Sequence, residues 1–219
     1  MTIERAGGLA GLVCAATYLF GFALLVTVLA PLGYGSSKID VAAVVAFIDT
    51  SPGLLIAWNT TIYIVNALAL AVLVVAVRGR LHPARPGLAD LTLAFGLIWA
   101  ALVLAAGMLA NVAVERAGAL YPTDPAGAAE LWTVLHAVEL GLGGGNEIAG
   151  GVWILAVSLG GLLAAVLPRL LSLLGILVGA AGLVTILPPL GDVAGAVFGL
   201  GAIVWFIGTG LVLLVAPRG

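Results

Sequence analysis

Charge is what this chain lacks. Charged residues make up 8% of its 219 residues and hydrophobic residues 63%, where a soluble domain carries about half apolar and roughly a quarter charged. No water-soluble core of this size could hide that much apolar surface, so lipid is the natural solvent. Lysine occurs once, at Lys38, no basic tract is present and the net charge is -2, which gives no reason to expect a nucleic-acid partner. The single cysteine, Cys14, excludes disulfide frameworks, redox pairs and cysteine-based metal clusters. It sits in an apolar run and reads as a small buried thiol. A retinal Schiff base needs a lysine within a span, and a voltage sensor needs intramembrane arginines; neither is present. The phosphate-binding GxxxxGK[ST] run, the HExxH zinc motif and the GxSxG serine elbow are also missing. No cofactor and no metal is expected.

What the chain has is apolar length. The predicted fold class is all-α, a polytopic membrane protein with six transmembrane helices in a single domain, at about 7–32, 54–77, 88–113, 147–167, 170–187 and 193–215. Each is near the ~20 residues a helix needs to cross the hydrocarbon. The first run is too long for the core of a cleaved signal peptide. Short amphipathic helices are expected at the interface in the two outer loops. In the first loop Ser37 and Asp40 have capping-box spacing, with Tyr34 as an interfacial anchor. In the second, Asp124 before Pro125 starts a helix. On that helix Leu131, Val134, Leu135, Val138 and Leu142 form an apolar stripe that would lie along the membrane or dock on the bundle, with Trp132, His136 and Glu139 on another side.

Basic residues set the orientation. With a cytoplasmic N-terminus, Arg5, Arg78, Arg80, Arg85, Arg169 and Arg218 lie inside and only Lys38 and Arg116 outside. Both termini are then cytoplasmic, His82 and His136 fall on opposite sides of the membrane, and a bis-histidine haem is excluded. Arginine outnumbers lysine seven to one and alanine, glycine and valine abound, which looks like coding from a high-GC bacterium. Gly7 and Gly11, Gly175 and Gly179, and Gly195 and Gly199 are each four apart, the spacing that lets helix backbones approach. They predict tight packing within the bundle, with a homodimer seam on the sixth helix, or a larger membrane complex, as the other reading.

Ionisable groups collect in residues 111–151, which hold Glu115, Asp124, Glu130, Glu139 and Glu147, five of the ten acidic residues. Asn59, Tyr63 and Asn66 recur at helical spacing on the second span, and Asn111 and Glu115 share a face of the third. Asn146 is the predicted N-cap of the fourth span, with Glu147 in its first turn. Together with Thr60, Thr185 and Asp192 these residues sit in the outer half of the bundle, while the inner halves read as almost purely apolar. That asymmetry predicts a cleft that opens outward and ends blind on Asn66. Its candidate ligand-binding residues are Asn59, Tyr63, Asn66, Asn111, Asn146 and Glu147; any acid–base chemistry would fall to Glu115, His136, Glu139 or Glu147. Each has a plainer reading: the asparagines as helix-to-helix ties, Glu147 as a carboxylate facing the helix dipole, His136 and Glu139 as a solvated pair.

The start ERAGGLAGLVCAATYLFGF, the loop bearing Asp40 and the hairpin GGVWILAVSLGGLLAAVLPRLLSLLGILVGAAGLVTIL resemble a bacterial family of six-helix integral membrane proteins catalogued only as a domain of unknown function. Pro168, Arg169 and Gly175 match the short link and glycine-containing fifth helix of that family. The resemblance implies a fold and an inner-membrane location, and no activity. Two function classes follow from the residues: a non-enzymatic accessory protein, or binder of a lipid or small molecule, in which membrane lipids are partners; and a membrane enzyme acting at the outer face. A small transporter is the third.

Overall fold

In lipid every backbone N–H and C=O must be satisfied within the chain, which leaves a sequence of this kind only helices or a closed barrel. The computed structural model, which describes residues 2–34, 39–144 and 147–215, is all-helical, with no strand among the described residues. Helix α1 (Ile3–Leu24) starts at Thr2, whose hydroxyl accepts the Arg5 N–H at 3.3 Å, and continues through wider and tighter turns to Leu32. A short α2 (Val41–Thr50) follows, then α3 (Pro52–Asn59), which runs through a π-helical stretch, Thr60–Val65, into α4 (Asn66–Leu81). After a tight turn come α5 (Pro86–Leu120), α6 (Pro125–Glu139), α7 (Ile148–Leu163), α8 (Arg169–Val184) and α9 (Gly191–Val215).

Among the described residues five stretches are long and apolar enough to cross a membrane: Ile3–Leu32, Pro52–Leu81, Pro86–Leu120, Pro125–Leu163, which takes α6 and α7 together, and Gly191–Val215. The chain is thus a multi-pass helical membrane protein. Its outward surface fits, since Val26, Leu68, Leu170 and Val204 stand exposed. The remaining apolar helix of the expected six, α8, has 16 residues and at ~24 Å is shorter than the ~30 Å hydrocarbon layer. Close backbone approach ties it to α7. A Cβ added at Gly179 would meet the Leu155 N at 2.7 Å and the Gly151 O at 2.8 Å, so only glycine fits. The glycines of α1 pack inward as well, Gly7 on Ala76 and Gly11 against Gly210 at 3.1 Å. Gly195, half of the expected seam on α9, has open space in front of it.

There are two apolar cores. The larger lies among α1, α4, α5, α7 and α9 and is built on rings: Trp99 stacks on Phe206 at 6.2 Å, and Trp153 meets Trp205 edge-on at 5.4 Å. The smaller gathers Leu29, Val44, Ile48, Leu55, Ala113, Ala117 and Trp132. It exists because α5 is 35 residues long; at ~52 Å it projects well beyond a ~30 Å hydrocarbon layer, and α2 and α6 pack against its end. This is the capped end of the bundle. Arg5, Arg78, Arg80, Arg85 and Arg169 lie at the other, the arginine end, where Arg78 bridges Asp90 at 2.8 Å.

Two local expectations change. Asp40 itself caps α2, its carboxylate accepting the Ala43 N–H at 3.0 Å; Ser37, like Lys38, lies outside the described residues. The docking face of α6 is turned about the helix axis, with Leu135 of the predicted stripe still packed on the smaller core. Ala128, Trp132 and Glu139 are buried, while Val134 and Val138 of the apolar stripe are 61% and 50% exposed. In a membrane environment an apolar stripe has no reason to hide, whereas a carboxylate must find donors within the protein.

Candidate functional site

The site is assembled where α6 returns along α5 and meets the π-helical stretch of the second run. There Tyr63 donates its hydroxyl to Glu139 Oε1 at 2.7 Å, and His136 Nδ1 lies 2.9 Å from Glu139 Oε2. Glu139 is 4% exposed and is the last residue of α6, where the helix dipole disfavours a negative charge. The two donors offset that cost. With the carboxylate ionised, Nδ1 carries the imidazole proton, and Nε2 is the ring nitrogen left to accept. The His136 ring stacks on Trp132 with centroids 4.5 Å apart. Tyr34 stands edge-on to Trp58 at 5.6 Å and to Trp132 and His136 at 6.3 Å each. Burial, and then the Glu139 charge, pushes the Tyr34 phenol above its ordinary pKa, so this ring is neutral.

A cavity of ≈ 750 Å³ opens between the two cores. Tyr34, Trp58, Trp132 and His136 form one wall, with Glu139 and Tyr63 behind them; Thr185 and Asp192 stand on the opposite side, contributed by the turn into α9 and its first residues. A second chamber of ≈ 170 Å³ adjoins it, bounded by Tyr18, Phe22, Trp99 and Val103 and reaching Asn66. Phe22, Leu25, Trp58, Ile62, Tyr63 and Glu147 line both chambers, so they form one space with a polar mouth and an apolar annex. The annex ends on Trp99, behind which Trp153, Phe198 and Phe206 are packed.

Six of the predicted residues are brought to this space. Asn59, Tyr63, His136, Glu139 and Glu147 line it, and Asn66 edges its floor. Asn59 is 5% exposed and, among the described residues, its amide has no hydrogen-bonding partner. Glu147 caps α7 by position, and its backbone N–H donates to Thr185 Oγ1 at 3.0 Å. No side chain among the described residues hydrogen-bonds its carboxylate, and His136 pairs with Glu139 instead. Asn66 is a tie: its amide donates to Thr17 Oγ1 at 2.7 Å and to the Cys14 carbonyl at 3.4 Å.

The others are elsewhere. Asn111 donates to Thr60 Oγ1 at 3.0 Å and does not line the cavity. Glu115 is exposed on the projecting end of α5, where solvent removes any need for a partner. Asn146 lies outside the described residues, and Glu147 occupies the N-cap position ahead of α7. Sequence reasoning missed Tyr34 and Trp58 as cavity wall; the helical spacing that sets Trp58 and Ile62 beside Asn59 and Tyr63 is the signal the sequence holds. Nor is the arginine half purely apolar. Ser158, Ser172 and Thr209 are fully buried there, with Ser158 accepting the Trp205 indole N–H at 3.1 Å. Among the described residues no group of three or more His, Cys, Asp or Glu is placed to hold a metal ion.

Fold and site together define a multi-pass helical membrane protein with an aromatic-walled cavity at its capped end. No protein-family model, no curated protein and no solved structure matches the chain.

Proposed function

We propose that this protein is a non-enzymatic binder of an amphiphilic small molecule or lipid, with six spans in a bacterial inner membrane. In this reading α8 is a short sixth span, both termini are cytoplasmic, and the cavity opens to the outer face. One observation carries the proposal: a polar-mouthed chamber of ≈ 750 Å³ continues into an apolar annex of ≈ 170 Å³ bounded by Trp99. Ligand sites are concave, mostly apolar and marked by a few convergent polar groups, and the rings packed behind Trp99 suit retention better than passage. The test is photolabelling in micelles with an octyl diazirine, followed by mass spectrometry of the labelled peptides. Saturable labelling of Phe22, Leu25 or Val103, lost in Val103→Phe because the annex is filled, is the expected result. Labelling confined to outward residues such as Leu68 and Val204 overturns it.

A second reading rests on the Glu139–His136 pair. A carboxylate holding Nδ1 leaves Nε2 as a general base, the arrangement a membrane enzyme would use on a substrate seated in the same cavity. His136→Gln separates the two, since it abolishes turnover by an enzyme and leaves octyl labelling of the annex in place.

A further inference from the structure

The lining of the cavity has a sign. Three carboxylates, Glu139, Glu147 and Asp192, face it, and among its described lining residues there is no lysine or arginine. Lys38 lies outside the described residues. Glu139 is already matched by Tyr63 and His136. Glu147 and Asp192 have no ion-pair partner among the described residues. Glu147 is placed at the junction of the two chambers, since it lines both, and beside an apolar wall an unpaired carboxylate is costly. Acidic residues alone would not make a site. Asn59 is the independent sign that something is received here: the residue is more than nine-tenths buried, lines the same cavity and, among the described residues, has no hydrogen-bonding partner. The wall adds a third feature, because Tyr34, Trp58 and Trp132 line the chamber and an aromatic ring attracts a cation wherever its face is open to it. An anion entering this space would meet two unpaired carboxylates and, among the described lining residues, no lysine or arginine.

We propose that the ligand is an ammonium-bearing amphiphile, with its ammonium group held beside Glu147 and Asn59 in the aromatic-walled chamber and its alkyl tail in the annex. The assignment rests on the binding function proposed above and adds the charge of the ligand. Tail and head have separate places. Phe22, Leu25, Ile62 and Val103 supply the apolar surface of the annex, and of the three carboxylates only Glu147 reaches it, at the junction with the larger chamber. The ammonium could belong to a free alkylamine or to an ethanolamine lipid headgroup, which share this chemistry.

Equilibrium dialysis of the whole protein in uncharged maltoside micelles, with protein-free micelles as the blank, tests it using three probes of equal tail: octyltrimethylammonium, octyl sulfate and 1-octanol. The expected result is retention of the ammonium at least about tenfold above the sulfate, equivalent to ~1.4 kcal/mol, with that preference lost in Glu147→Gln and octanol retention unchanged. Competition by a short-chain phosphatidylethanolamine assigns the site to a lipid headgroup; retention of the probe against it assigns the site to a free alkylammonium. Octanol binding with no preference between the charged probes sinks the cation and leaves the amphiphile reading standing. Failure of all three probes sinks both. Should Glu147→Gln not fold, the ranking of the probes on the unaltered protein decides, and Asp192→Asn, an exposed position, should narrow the same preference.

Discussion

Tyr63 and Glu139 are 76 residues apart in sequence and 2.7 Å apart in space, and a double-mutant cycle on them measures what holds the cap to the bundle. An ordinary interhelical hydrogen bond in a membrane protein contributes only about 0.6 kcal/mol on average. A bond to a charged acceptor contributes about 1.5–3 kcal/mol, and Glu139 is 4% exposed, so water cannot replace a lost donor. Tyr63→Phe removes the donor and keeps the ring; Glu139→Gln keeps the shape and removes the charge. The coupling between them, from SDS-induced unfolding of the four proteins in mixed micelles, should therefore be about 1.5 kcal/mol or more, with each single change destabilising. His136→Phe should behave in the same way toward Glu139, because the stack on Trp132 is kept while the Nδ1 donor is lost. Additive effects, within the ~0.3–0.5 kcal/mol expected of independent sites, would mean that the pair is a solvated surface contact and that the charge-assisted argument is wrong.

Gly179→Ala should cost about 1–3 kcal/mol through overpacking, since the new Cβ meets the backbone of α7 at 2.7 Å, whereas Gly79→Ala meets nothing within 4 Å and should stabilise by up to ~1 kcal/mol; thermal unfolding in micelles ranks them, and equal effects would refute the close approach. Asn66→Leu should cost under ~1 kcal/mol, because Thr17 still donates to the Cys14 carbonyl at 2.8 Å, while Asn66→Ala should cost about 2 kcal/mol or more through the void left behind; the reverse order in the same unfolding assay would show that the amide is essential beyond its volume. Single cysteines replacing Arg80 and Asp124, in a Cys14→Ala background, should react with an impermeant maleimide from opposite sides of the membrane. Labelling from the same side would defeat the proposed topology.

Composition and apolar length determined the class of this protein, because 63% hydrophobic and 8% charged residues leave no soluble alternative, and apolar runs of about 20 residues or more select helices from the two structures that lipid allows. Spacing along single helices also determined that Asn59, Tyr63 and Asn66 share one inward face, which α3 and α4 keep. Tertiary structure decided the rest, for a definite physical reason. In water a helix buries its apolar stripe, and α6 was read by that rule; against lipid the rule loses its force, so Val134 and Val138 stay out while Trp132 and Glu139 turn in. The partner that makes this tolerable, Tyr63, comes from a helix 76 residues away, and no local pattern announces it. The same holds for Tyr34, which spacing made an interfacial anchor and packing made a wall of the cavity. Glu115 and Asn111 failed as site residues because α5 runs past the hydrocarbon, so that one ends in solvent and the other is tied to Thr60. Which polar groups share a cavity depends on how far each helix projects and how it is turned about its own axis, and those two quantities are set only when the helices meet.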